Sequence, residues 1–211
     1  MTPPSLLNCS PAKARLPKSV VVVASGPSLC DDDIAYLRGR SAVIVVNSTY
    51  QRVPWADYLY AGDARWWYTH IDAVRACFAG QCWTIAAHCA QHLGLNRLRY
   101  AGLGPGLCPK PGYVYHGGNS GYQAIGLGHR LGYRCIILLG FDCQMTDGKK
   151  HHHDDHPGCL NGALDFRLWL RLFDTLPASA EALGVELINC TRQTAIATIP
   201  RANLCDVLQS R

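Results

Sequence analysis

The stretch Val20-Val21-Val22-Val23-Ala24-Ser25-Gly26-Pro27-Ser28-Leu29 decides how the chain is read. Four consecutive β-branched residues form a strand that can be buried on both faces. Gly26-Pro27 then breaks it in a tight turn, and Asp31-Asp32-Asp33-Ile34-Ala35-Tyr36-Leu37 opens a helical pattern. Strand, small-residue turn and helix start together leave backbone N–H groups where a phosphate can sit. Gly and Pro also serve purely conformational ends in such turns, so the motif points to a ligand only if the rest of the chain agrees.

Outward from this turn, short apolar runs alternate with helical patterns. Strands are predicted at 19–24, 42–46, 57–61, 82–86, 97–101, 134–139 and 185–189. Helices are predicted at 31–38, 64–78, 119–131, about 162–175 with a stop near Pro177, and 178–183. Gly39, Gly80, Gly132 and Gly184 follow helices as left-handed caps. Apolar strands separated by helices predict an α/β fold of Rossmann-like, doubly wound type, with a mainly parallel sheet and helices on both faces. The 211 residues suit one such domain over 18–211 after a flexible leader at 1–17.

In this architecture ligands bind beyond the carboxyl ends of the strands. Polar residues gather there: Ser25-Gly26-Pro27-Ser28, Asn47-Ser48-Thr49, Gly62-Asp63, Gly140-Phe141-Asp142 and Asn189-Cys190-Thr191, together with the helix start Gly117-Gly118-Asn119-Ser120-Gly121. Each alone reads equally as a cap or turn. Clustered on one edge, they predict a nucleotide site. Asp142 is placed to accept from a ribose or to hold Mg²⁺. Asp63 is either a second such carboxylate or a plain N-cap.

The most unusual segment is Lys149-Lys150-His151-His152-His153-Asp154-Asp155-His156-Pro157-Gly158, inside a predicted active-site loop at 143–160. It reads as a transition-metal site, as a source of a general base, as a phosphate-neutralising patch, or as a solvated polar loop. Trp66 and Trp67 are adjacent, and from helical geometry one is expected in the core and the other near the site or beneath a loop. The glycine- and proline-rich stretch 103–118 has the composition of a lid.

Eleven cysteines without a C-x-x-C pair argue against a disulfide framework or structural zinc and for a reduced, cytoplasmic protein. No apolar run is long enough to span a bilayer. The net charge of +5 favours an anionic partner, although over the whole chain the charge looks scattered.

Ser25-Gly26-Pro27-Ser28-Leu29 after a valine strand, and Asn119–Ile125 through Leu131-Gly132-Tyr133 to Gly140-Phe141-Asp142, resemble two shared blocks of the bacterial lipooligosaccharide sialyltransferases and the archaeal-type hydroxymethylpterin diphosphokinases. The resemblance implies a transferase in which Gly26, Pro27, Ser28, Asn47, Ser120, Gly121 and Asp142 hold a nucleotide. It also implies that a loop His acts as general base, with His156 or His153 the nearest match and His152 beside them. The chain departs from the sialyltransferases in having Ser25 where they usually have Asn, and in lacking a clear Tyr pair in the loop. The expected function is a glycosyltransferase moving a sugar from a nucleotide-sugar donor to an acceptor glycan, small molecule or nucleic acid. The alternative is a Mg-ATP-dependent diphosphokinase, with Asp63 and Asp142 as metal ligands. Whether the protein is a homo-oligomer is left open by the sequence.

Overall fold

The valine run forms the central strand. In a computed structural model describing residues 19–153 and 165–210, the strands in chain order are β1 (Ser19–Val23), β2 (Ala42–Val46), β3 (Tyr58–Tyr60), β4 (Gln81–Thr84), β5 (Asn96–Arg97), β6 (Arg99–Tyr100), β7 (Tyr113–Val114), β8 (Cys135–Leu139) and β9 (Glu186–Asn189). The helices are α1 (Asp31–Leu37), α2 (Ala64–Cys77), α3 (Ala87–Leu93), α4 (Ser120–Arg130), α5 (Phe166–Phe173), α6 (Leu176–Ala182) and α7 (Leu204–Gln209). The predicted leader and the part of the histidine loop from Asp154 to Asp155 and His156 lie outside the described residues.

Seven strands form one parallel sheet in the order β5-β4-β3-β2-β1-β8-β9. Val20 lies opposite Ala42 on one side and Ile136 on the other, and Val23 lies opposite Val45 and Leu139. From β1 the chain winds outward through β2 to β5, then returns to place β8 on the other side of β1. The order therefore reverses between β1 and β8, which is where an open α/β sheet leaves a crevice.

Because side chains alternate along a strand, successive valines feed opposite cores. Val21 and Val23 pack with Val43, Val45, Ile137 and residues of α1, α2 and α7. Val20 and Val22 pack with Ile44, Ile136, Leu138 and residues of α4 and α6. The doubly wound α/β fold is thus present, with helices on both faces.

Local differences from the predicted elements have physical causes. The run 97–101 is not one strand. Leu98 N–H still donates to Thr84 O, but Arg99 N–H donates to Gly112 O, so the chain changes partner there and pairs β6 with β7. Pro177 does not end a helix but sits in the first turn of α6, where its missing N–H costs nothing. The predicted lid is anchored: Gly106 and Leu107 donate to Thr175 and Ser179, and Arg130 donates to the carbonyls of Cys108 and Lys110. Among the described residues no helix is long and apolar enough to cross a membrane.

Candidate functional site

The turn after β1 is stitched to the end of β8. Gly26 N–H donates to Gly140 O at 2.8 Å. Ser28 donates twice to Asp142, from N–H at 2.9 Å and from Oγ at 2.7 Å. Thr146 Oγ1 donates to the same carboxylate at 2.8 Å. Gly26 has no room for a side chain, since a Cβ would overlap Asp142 Oδ1 and Gly140 O. The segment after β9 holds the opposite side, with Thr191 Oγ1 accepting from Phe141 N–H and Ala195 N–H donating to Asp142 O.

These contacts revise two expectations. The amides of Gly26 and Ser28 are already spent inside the protein, and Pro27 has none to offer, so this turn is not the amide cradle its composition suggests. Asp142 is buried and holds the turn together with its oxygens, instead of presenting a bare carboxylate for Mg²⁺. Asp63 is the N-cap of α2: it accepts from Arg65 N–H at 2.8 Å and pairs with the Arg65 guanidinium, which holds its carboxyl below the usual range. It does not line the cleft.

The cleft at the reversal point has a cavity volume of about 100 Å³ and opens to solvent. Ser25, Gly26, Asn47, Asn119, Ser120, Gly121 and Asp142 all reach it, so most of the predicted site residues are brought together, while Pro27, Ser28 and Asp63 are not among its walls. The open donors are at the start of α4. Asn119 caps this helix by accepting from Tyr122 N–H at 2.9 Å, and Ser120 Oγ accepts from Gly62 N–H. The N–H groups of Ser120 and Gly121 have no acceptor among the described residues, and the helix start carries partial positive charge. Lys150 lines the same cleft. Asn47 directly follows β2 in the left-handed region, φ 48°, a conformation Asn tolerates better than most residues. Its side-chain amide has no hydrogen-bond partner among the described residues. Cys143 also lies here, its thiol pushed up to about 12 by burial and by Asp142, so it is no thiolate nucleophile.

The aromatic wall was not anticipated. Trp66 and Trp67 both lie in the core, edge to face with ring centroids 5.0 Å apart, which corrects the expectation that they diverge. The cleft instead takes Phe166, Trp169 and Phe173 from α5, with Phe141. Trp169 Nε1 donates to Gly118 O at 3.2 Å, and Phe166 meets Trp169 edge-on at 5.5 Å. Their spacing of three and four residues was the available signal.

The histidine segment straps the first turn. His151 Nδ1 is 3.0 Å from Ser25 Oγ, and His152 N–H donates to Ser25 O at 2.9 Å. His151 lines the cleft, whereas His152 and His153 do not. His152 points toward Thr49, and burial, with His153 and Arg52 nearby, pushes its pKa down to about 3, so it is neutral at physiological pH. His153 stacks parallel to His151 with centroids 5.0 Å apart. Among the described residues no group of three or more His, Cys, Asp or Glu is placed to hold a metal ion.

The cleft therefore offers amide donors and a cation for an anion, a flat apolar wall for a ring, and an imidazole fixed beside them. A scan against protein-family models, a search of curated proteins and a search of solved structures each found no match. The geometry itself carries the description: a Rossmann-like α/β fold with an open cleft at its switch point.

Proposed function

We propose that the protein is a nucleotide-dependent transferase, a glycosyltransferase that moves a sugar from a nucleotide-sugar donor to an acceptor hydroxyl. The observation that carries this reading is the start of α4, where the unpartnered N–H groups of Ser120 and Gly121 share a cleft with Lys150 and Trp169. The donor phosphate sits on the helix start, where fixed dipoles stabilise the charge of the departing nucleotide. A base or sugar ring lies against Trp169. A loop histidine takes the acceptor proton as the acceptor oxygen attacks the anomeric carbon, and the nucleotide leaves with the electron pair. His151 is the loop histidine that lines the cleft; the family resemblance favours His153 or His156, so the variant series covers all of them.

A thermal-shift screen with CMP, UDP, GDP, ADP and ATP, with and without Mg²⁺, identifies the nucleotide. One nucleotide is expected to raise the melting temperature, and Trp169→Ala to abolish that shift. His151→Ala is expected to lower turnover about a hundredfold or more while the shift persists. If no nucleotide stabilises the protein, or every loop-histidine variant keeps full turnover, the reading fails. The diphosphokinase alternative requires Mg²⁺ at carboxylates, but Asp142 is engaged by Ser28 and Thr146 and Asp63 lies outside the cleft. Loss of all activity on adding a chelator would restore that alternative.

A further inference from the structure

Charge that looks scattered over the whole chain is in fact segregated. All 15 acidic residues lie outside residues 73–141, a segment that carries Arg75, Arg97, Arg99, Lys110, Arg130 and Arg134. Three of these cations serve the fold: Arg75 donates to Leu93 O, Arg130 to the carbonyls of Cys108 and Lys110, and Arg134 to Leu183 O. Arg97, Arg99 and Lys110 are exposed, and none is paired with a carboxylate among the described residues. The described ion pairs Arg52–Asp31, Arg65–Asp63 and Arg192–Asp33 all use cations outside this segment.

Aromatic rings are interleaved with these cations. Lys110 and Arg99 approach the Tyr113 ring, with 4.1 Å and 5.7 Å to its centroid. Tyr100, adjacent to Arg99, is 48% exposed and stands edge-on to His116 at 5.6 Å. From His116 the path continues to the cleft: Gly118 N–H donates to His116 Nδ1, and Gly118 O accepts from Trp169 Nε1 in the cleft wall. Exposed cations without carboxylate partners among the described residues, set beside the exposed Tyr100 ring and the half-buried Tyr113 ring, suit a flexible polyanion that also has flat faces. A duplex, whose bases are already stacked, would use the charges but not the rings.

We propose that this surface binds a single-stranded polynucleotide and delivers it to the cleft. The binding stands on the surface alone; that the strand carries the acceptor hydroxyl rests on the transferase reading above.

The test is fluorescence anisotropy of the full chain with end-labelled single-stranded DNA and RNA of equal length. A duplex of that length and vesicles of mixed neutral and anionic lipid serve as competitors. Single strands are expected to compete best, with an affinity that falls steeply with salt. The R97E/R99E/K110E variant is expected to weaken binding at least tenfold and flatten the salt slope by about two to three. Tyr100→Ala should weaken it by about fivefold or more. The nucleotide-induced thermal shift should survive in both variants, which also shows that they fold. Absence of binding at low salt, unchanged binding in the triple variant, or stronger competition by vesicles or duplex would overturn the proposal. If polynucleotide binding is absent and the nucleotide shift persists, only this inference falls; if the shift is also absent, the transferase reading falls with it.

Discussion

Asp142 shows how one side chain differs from its sequence reading while keeping its predicted place. Its position after a β-rich run correctly set it at the end of β8, at the cleft. What the sequence did not disclose was its partners, because Ser28 lies 114 residues away and no local pattern encodes that meeting. Three donors converge on this buried carboxylate, so Asp142→Asn removes the charge they share and forces either a hydroxyl to turn and accept or the Ser28 N–H to face an amide N–H₂. It is expected to lower stability by about 2–3 kcal/mol, read as a reduced urea midpoint. Ser28→Ala loses the hydroxyl contact and should cost about 1 kcal/mol. Gly26, by contrast, was legible as a special position, although for a different reason: it makes space for Asp142 instead of supplying a phosphate amide.

At the scale of elements, the long apolar strands and helices α1, α2 and α4 could be read directly, whereas the short α3 and α7 could not. α3 begins after Ala86, which makes no side-chain cap, and its seven residues hold little apolar periodicity. α4 was legible because Asn119 and the glycines before it announce a helix start. Asn119→Ala should destabilise the protein by about 1 kcal/mol, measured by thermal or urea unfolding. The cleft's aromatic wall was overlooked for a physical reason: an aromatic stripe on α5 looks the same in sequence whether it faces a core or a ligand. Only the tertiary placement of α5 across the mouth of the β1–β8 crevice separates the two, and the Trp66–Trp67 pair, more conspicuous in sequence, belongs to the core.

For the molecule as a whole, two half-buried histidines are expected to weaken stability in acid. Folding pushes the pKa of His152 down to about 3, mainly through burial, from an ordinary value of 6.5. His129 is pushed down to about 4, again chiefly by burial, with Arg130 and Arg134 adding repulsion. The unfolded chain therefore binds more protons than the folded one below pH 6.5. The stability from these neutral rings is complete above that pH and is lost as pH falls through 6.5 toward 4. Asp31 and Asp63 are also depressed, but from 3.8, so their contribution fades only at more acid pH. The melting temperature is expected to fall by about 5 °C between pH 7 and 4.5, and His152→Gln should reduce that fall. The sheet order carries a different consequence, for how the chain reaches this state. β1 is complete only when Leu139 arrives beside Val23, so until β8 has been synthesised the valine-rich strand has an open edge. Such an edge is a template for pairing with other chains. The long interval between the two strands makes the nascent protein dependent on prompt completion, and a fragment ending before Cys135 is expected to collect in the insoluble fraction.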